Sequence, residues 1–158
     1  MDLGVLPMLL ETRLGTFEVD EDKIINFTRG ILGLEGQKKY ILLDHPDTDV
    51  LKWLQSVESP EIALPVILPG NFFPEYQPEI PKEDLFPLEI TTSEDAVVLC
   101  IITVPKNPKL ATVNLKAPVI VNPGKRLGDQ LIAENEGYQI REPLNLEKAV
   151  ADGRCKSC

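Results

Sequence analysis

Histidine, cysteine and long hydrophobic runs are scarce in this sequence, and each shortage excludes a class of protein. The 158 residues include one histidine and three cysteines. No apolar run approaches the roughly 18 residues that span a bilayer, so no membrane association is expected. The apolar start carries Asp2 where a signal peptide needs basic charge, and Pro7 interrupts it. We therefore predict a cytoplasmic protein.

Basic residues are also scarce, and the shortage is uneven along the chain. Residues 1–99 hold 19 acidic and 7 basic side chains, a net charge of −12, whereas residues 100–158 hold 6 and 9, a net charge of +3. Nucleic acids present dense negative charge that lysine and arginine must meet, so direct nucleic-acid binding is disfavoured. The acidity favours a basic protein partner, although it serves solubility equally well.

The sequence lacks any combination of residues that would form a recognisable catalytic site. His45 lies in an Asp- and Pro-containing turn, and no Gly-x-Ser-x-Gly elbow exists, so a hydrolytic triad is not predicted. Neighbouring carboxylates such as Glu83 and Asp84 lack the alternate spacing of a calcium loop and are interpreted as solvated faces. We predict no enzymatic activity, no cofactor and no metal.

The cysteines do not form an obvious framework. Cys100 sits inside an apolar run, where it is expected to be a small, inert, buried hydrophobe. Cys155 and Cys158 form a terminal Cys-Lys-Ser-Cys pair, whose spacing suits metal or redox chemistry only with further ligands. The sequence offers none, and we interpret the pair as part of a mobile tail.

Short β-prone runs separated by turn residues dominate the chain. Residues 96–104 form a continuous β-branched run that is typical of a central strand buried on both faces. Fourteen prolines, and no alternation of strands with long helices, argue against a parallel α/β sheet. The fold class predicted is mostly β: a small antiparallel β-barrel-like single domain with one or two short helices. The predicted strands are residues 9–13, 16–19, 24–27, 39–43, 51–57, 62–68, 96–104, 111–115, 119–121, 128–133 and 138–141.

Two helices, one glycine-rich turn and the domain limits complete the prediction. Short helices are expected over residues 81–88 and 144–150. Three glycines in residues 29–36 predict a turn with positive φ, with Ile31, Leu32 and Leu34 plugging a core. A β-barrel domain is expected over residues 12–151, between an N-terminal extension (1–11) and a C-terminal tail (152–158). Met8 is an alternative start.

Five ordered motifs give the chain a family resemblance from about Thr12 to Leu144. Any one of them is weak, but five in order at family-like spacing make coincidence improbable. They are Gly15-x-Phe17-Glu18-Val19, Ile25-x-Phe27-x-x-Gly30-Ile31-x-Gly33-Leu34-Glu35, Leu54-Gln55-Ser56-Val57-x-x-Pro60, Phe72-Phe73-Pro74-x-Tyr76 and Thr112-x-Asn114-Leu115-x-Ala117-Pro118-Val119-x-Val121-Asn122. By these motifs the chain resembles the bacterial flagellar assembly factor FliW family.

The resemblance implies a non-enzymatic protein that switches between two partners. It would bind flagellin and, when flagellin is exported, bind the RNA-binding translational repressor CsrA, so that flagellin synthesis is relieved of repression. The composition fits, because an acidic partner would be steered toward a basic RNA-binding protein. The alternative from another class is a small-molecule-binding or metal-dependent β-barrel that uses its interior.

One stretch combines aromatic and acidic residues in a way that suits protein binding. Aromatic side chains on a proline-rich loop either fold back into a core or stand out as anchors. Residues 71–95 carry seven acidic side chains against Lys82 alone, so anchors with an acidic rim could meet a basic partner. The predicted partner-binding residues are Phe72, Phe73, Glu75, Tyr76, Glu79, Glu83 and Asp84.

Overall fold

A computed structural model describes residues 7–13 and 15–146 of the chain. In chain order it contains strands β1 (Pro7–Thr12), β2 (Gly15–Asp20), β3 (Ile25–Phe27), β4 (Lys39–Asp44), β5 (Leu51–Ser56) and β6 (Ala63–Ile67), helix α1 (Lys82–Leu85), and strands β7 (Val97–Thr103), β8 (Thr112–Val113), β9 (Val119–Asn122), β10 (Leu127–Gln130) and β11 (Glu142–Pro143). No helix in these ranges is long and apolar enough to cross a membrane.

Seven of the strands close into a barrel. Their order is β7-β6-β5-β4-β3-β10-β9, and β9 pairs with β7 to complete the ring. This confirms the predicted barrel-like β fold. Six of the joins are antiparallel, and the pairing of β3 with β10 is parallel, with Leu127 opposite Asn26 and Gly128 opposite Phe27. The parallel join arises because β10 follows β9 in a hairpin that must insert between β3 and β7.

Side chains alternate between the inside and the outside of the barrel, as the two-residue period of a strand requires. One core cluster fills the interior, and it includes Phe27, Tyr40, Leu54, Val66, Leu99 and Val119. The residues between them along β4, β7 and β9 belong to other clusters, on the outer surface. Strand β7 is therefore buried on both faces, and it lies between β6 on one edge and β9 and β8 on the other.

Three peripheral covers bury the outward-facing apolar residues. The β1–β2 hairpin covers Ile41 and Leu43 of β4. Strands β8 and β11, with aromatic residues of the β6–β7 connection, cover Cys100 and Ile102 of β7. Helix α1 and the 3-10 turn that follows it (Phe86–Leu88) cover Ile120 of β9. Each large aliphatic side chain fully buried in this way contributes about 1.5–3 kcal/mol of hydrophobic stabilisation.

The glycine-rich turn adopts the predicted backbone but not all of the predicted packing. Gly30 and Gly33 have φ of +92° and +88°, and a Cβ at Gly30 would lie 3.1 Å from the Cα of Glu35. Ile31 is buried in the barrel core and Leu34 packs against it. Leu32 was predicted to join them, and this is wrong: its side chain is 59% exposed. The two left-handed glycines turn the backbone on either side of Leu32, so that its side chain leaves the barrel.

Several predicted boundaries shift. Residues 138–141 were predicted as a strand, and this is wrong: the final strand is β11, and Gln139 instead accepts backbone hydrogen bonds from Leu115 and Lys116 outside any ladder. Residue 12 lies at the end of β1, whose residues all pair with β2, and the domain limits stay a prediction. The expected helix over residues 81–88 is present as α1 and a 3-10 turn. The expected helix over 144–150, the tail and its cysteine pair lie largely outside the described residues.

Candidate protein-binding surface

The predicted binding residues lie on the long connection between β6 and β7, which crosses the outside of the barrel. The connection opens with a 3-10 turn (Pro69–Asn71) and later forms α1. Its first part packs on the cluster that contains Cys100, and its second part packs on the cluster that contains Ile120. The structure thus brings all seven predicted residues onto one continuous segment.

The aromatic residues of this segment fold back toward the barrel. Phe72, Phe73 and Tyr76 are partly buried against the outer core. The Tyr76 hydroxyl donates a hydrogen bond to the Leu115 carbonyl at 2.7 Å, and its ring lies 4.8 Å from that of Tyr138. Burial, reinforced by the neighbouring Cys100 thiol, raises the pKa of Tyr76. These side chains fasten the connection to the barrel and leave only part of their surface to a ligand.

The acidic residues divide into three exposed carboxylates and one paired one. Glu75, Glu79 and Glu83 are exposed. Asp84 is partly buried, and its Oδ1 lies 3.0 Å from Nη2 of Arg29. Because this ion pair already offsets the charge of Asp84, the three exposed carboxylates are the members of this set most available to a cationic partner.

Beside these residues lies a groove that the sequence did not predict. The groove has a volume of about 940 Å³ and an apolar floor that includes Ile90, Val98 and Ile120. Phe86 stands at its side with 82% of its surface exposed. We call this the helix groove, and define it by residues 76–80, Lys82, Leu85, Phe86, 90–93, Ala96, Val98 and Ile120.

The exposure of Phe86 has a local cause. Proline at position 87 lacks the amide hydrogen that a longer helix needs, so α1 ends and the chain continues as a 3-10 turn that closes at Glu89 with φ of +56°. The turn buries Leu88 completely and leaves Phe86 outside. The sequence Leu-Phe-Pro-Leu indicates this end of the helix, because a proline inside a predicted helix limits which of its neighbours can face the core.

The rim of the helix groove is acidic. Glu79 lines it directly, and Glu83, Glu89 and Glu94 each adjoin a lining residue in the chain. The Glu89 carboxylate lies 3.9 Å from Nζ of Lys125, so its charge is partly offset. The cationic lining residue is Lys82. Asn135 holds the near side in place, because its side chain accepts from the Glu79 amide at 2.6 Å and donates to the Gln77 carbonyl at 3.0 Å. An apolar floor with an acidic rim suits a basic, amphipathic protein segment.

The other residues considered for chemistry have structural surroundings. His45 stacks on Trp53 with ring centroids 6.2 Å apart, and its Nδ1 accepts a hydrogen bond from the Asp47 amide. Cys100 is buried, and this burial raises the pKa of its thiol to about 12. Within residues 7–13 and 15–146, no three potential metal ligands lie together.

The fold and surface define a class: a small closed β-barrel with a filled interior and a covering segment that leaves an apolar, acid-rimmed groove outside. The FliW protein family model matches residues 8–144 of this chain. The chain is 44% identical to the flagellar assembly factor FliW of Natranaerobius thermophilus over 82% of its length and 87% of the relative, and 39% identical to that of Bdellovibrio bacteriovorus over 87% and 79%. A crystal structure of the flagellar assembly factor FliW matches it with a TM-score of 0.80 and 32% identity, over 86% of this chain and 96% of that one. The chain belongs to the FliW family of flagellar assembly factors.

Proposed function

We propose that this chain binds flagellin and, when flagellin has been exported, binds the translational repressor CsrA, so that CsrA no longer represses flagellin synthesis. It would act in the cytoplasm, where translation takes place, and without catalysing a reaction. The observation that carries the proposal is the helix groove of a FliW family member, with its apolar floor, exposed Phe86 and acidic rim.

The charge of the groove selects between the two partners. A protein that grips RNA must present lysine and arginine, so CsrA is expected to be basic. Exposed carboxylates at Glu75, Glu79 and Glu83 would steer such a protein to the groove, and Phe86 would supply an apolar anchor there. We therefore assign CsrA to the helix groove.

The predicted binding residues take different parts in this proposal. Glu75, Glu79 and Glu83 would contact the partner. Asp84 would contribute less, because Arg29 already pairs with it. Phe72, Phe73 and Tyr76 would shape the surface chiefly by holding the connection on the barrel, and their exposed edges would border the interface.

The alternative of a ligand-binding barrel has weaker support. Such a protein needs space and polar groups inside the barrel. The described interior is instead occupied by apolar side chains, among them Phe27, Leu54 and Val66. The helix groove lies on the outside of the barrel, on Val98 and Ile120, away from this interior.

The partner switch is tested by titration of the purified chain with CsrA at increasing flagellin concentrations. Loss of CsrA binding as flagellin is added supports the proposal. Equal CsrA affinity at all flagellin concentrations would refute the switch. A double variant, Glu79→Lys with Glu83→Lys, should weaken CsrA binding, while Asp22→Lys, an equally exposed acidic site on another element, should change it much less.

A further inference from the structure

A second groove lies at the glycine-rich turn and shares no lining residue with the helix groove. It is formed by the turn, by the start of β6 and the end of β7, and by the segments that follow β10 and precede β11. Its volume is about 470 Å³. We call it the plug groove, after the side chain of Ile31 that closes the barrel beside it.

Exposed aliphatic side chains gather in the plug groove. Leu32, Ile132 and Ile140 are 59%, 48% and 63% exposed, and all three line it. Single exposed aliphatic residues are common on protein surfaces and need no explanation. Three around one concave site are a different matter, because contiguous apolar surface of this kind marks a place where another molecule binds.

The exposed leucine is held rigidly by buried polar side chains. The Leu32 amide donates to Oε1 of Gln130 at 2.9 Å, and Nε2 of Gln130 donates to the Ala117 carbonyl at 3.0 Å. The neighbouring Asp129 carboxylate accepts from the amides of Arg29 and Gly30 at 2.8 and 3.0 Å. A site that is already ordered loses little conformational entropy when a partner binds.

The lining of the plug groove is more basic than that of the helix groove. It contains two cations, Lys116 and Arg141, and no carboxylate, whereas the lining of the helix groove contains one of each, Glu79 and Lys82. Neither side chain of the plug groove pair forms a salt bridge with another residue in the described part of the chain; the Lys116 ammonium donates to the Asn135 carbonyl at 3.1 Å, and Arg141 is the exposed cation. In a protein of net charge −9, this is a local basic site beside an apolar one. It complements an aliphatic segment that carries carboxylates.

We propose that the plug groove is a second docking surface, which takes an aliphatic, carboxylate-bearing segment of a partner protein. This inference rests on the proposed function, within which flagellin is the partner assigned to the plug groove. The two partners then contact different side chains of this chain and can be separated by mutation. Mutual exclusion, which the partner switch requires, would come from overlap of the bodies of the two partners beyond the grooves.

The test compares a plug-groove variant with a matched surface variant. Ile132→Ser with Arg141→Glu removes one exposed aliphatic side chain and reverses one charge in the groove. Leu110→Ser with Lys109→Glu makes the same changes on an exposed 3-10 turn outside both grooves. Calorimetric titration with purified flagellin and with CsrA gives the affinities of each variant and of the unmodified chain.

The proposal expects the plug-groove variant to lose roughly tenfold or more in flagellin affinity, with CsrA affinity unchanged and the matched variant normal for both. If the double variant unfolds, Ile140→Ser alone carries the same expectation. Unchanged flagellin affinity, or equal loss toward both partners in a folded variant, would overturn the second surface and leave the partner switch standing. An unmodified chain that binds neither protein would refute the proposed function, and this inference with it.

Discussion

At the scale of single residues, Asp129 is the side chain on which the glycine-rich turn depends. It is buried at the end of β10, and its carboxylate accepts hydrogen bonds from the amides of Arg29 and Gly30 and from the hydroxyl of Thr28. These groups lie about 100 positions earlier in the chain. One acidic side chain therefore ties an early turn to a late strand, and its hydrogen bonds satisfy amides that no strand neighbour reaches.

Asp129→Asn should destabilise the protein by roughly 1–3 kcal/mol, because a neutral amide oxygen accepts the Arg29 and Gly30 amide hydrogens less strongly than a carboxylate, and the amide nitrogen cannot accept from the Thr28 hydroxyl. The free energy of unfolding from urea titration measures this. Asp22→Asn, at an exposed position, is the matched control and should change stability by less than about 0.5 kcal/mol. Equal stability of the two variants would show that the turn is held by other contacts.

Cys100 makes stability sensitive to alkaline pH. Burial raises the pKa of its thiol from 9.0 to about 12, so the unfolded chain releases this proton at lower pH than the folded one. The stabilisation is full below pH 9 and is lost as pH rises from 9 toward 12. Cys100→Ala should remove about 1 kcal/mol of the decline in unfolding free energy between pH 7 and pH 10. Urea titrations under reducing conditions, at both pH values, test this, and parallel declines in the two proteins would contradict it.

At the scale of elements, different residues of the β6–β7 connection have different roles, which the sequence analysis assigned to one set of residues. Its aromatic residues fasten it to the barrel, whereas its helix and 3-10 turn build the groove. The loop motif drew attention to Phe72 and Phe73, but Phe86 is the aromatic residue that remains exposed. A stability effect and a binding effect should consequently be separable within a single connection.

Phe86→Ser should lower CsrA affinity by more than about 1 kcal/mol with little change in melting temperature, because an exposed side chain contributes to binding and not to the core. Phe73→Ala should do the reverse: it should cost stability, to an extent below the 3–5 kcal/mol typical of a fully buried phenylalanine. Differential scanning calorimetry and calorimetric titration of both variants give the comparison. A large fall in melting temperature for Phe86→Ser would show that this residue belongs to the core.

The strands that sequence could predict are those with uninterrupted apolar or β-branched runs, such as β7 and β4. What it could not predict depends on contacts between distant segments. No local sequence pattern predicts the parallel join of β3 and β10. Leu32 has the same composition as its buried neighbours, and only the backbone turn at Gly30 and Gly33 decides that it faces outward. The grooves were missed for the same reason, because each is assembled from several segments.

At the scale of the whole molecule, charge is arranged on two differently charged surfaces. The net charge of −9 is concentrated in the first two thirds of the chain, which supplies the rim of the helix groove. The basic lining of the plug groove comes from Lys116 and Arg141, in the last third. The linear imbalance seen in the sequence is thus reflected in the linings of the two grooves, and under the proposed function partners of opposite charge would meet different sites.

CsrA binding should weaken as salt rises, because the encounter between net-opposite surfaces is screened over roughly 8 Å at physiological ionic strength. The association rate should fall more steeply than the dissociation rate rises. Stopped-flow measurements at low and high salt test this, and Glu79→Lys with Glu83→Lys should flatten the dependence. An association rate that does not change with salt concentration would contradict electrostatic steering.

The parallel join between β3 and β10 also determines how late in synthesis the barrel can close. While a ribosome is still making the chain, β3 to β7 can form only an open sheet with two unpaired edges. Closure waits for residues 119–130, and the same residues bring Ile120 to the floor of the helix groove. Such late pairing of distant strands slows folding. A nascent or prematurely terminated chain that lacks residues 119–130 therefore has neither a closed barrel nor a complete helix groove, and it could not take part in the proposed partner binding.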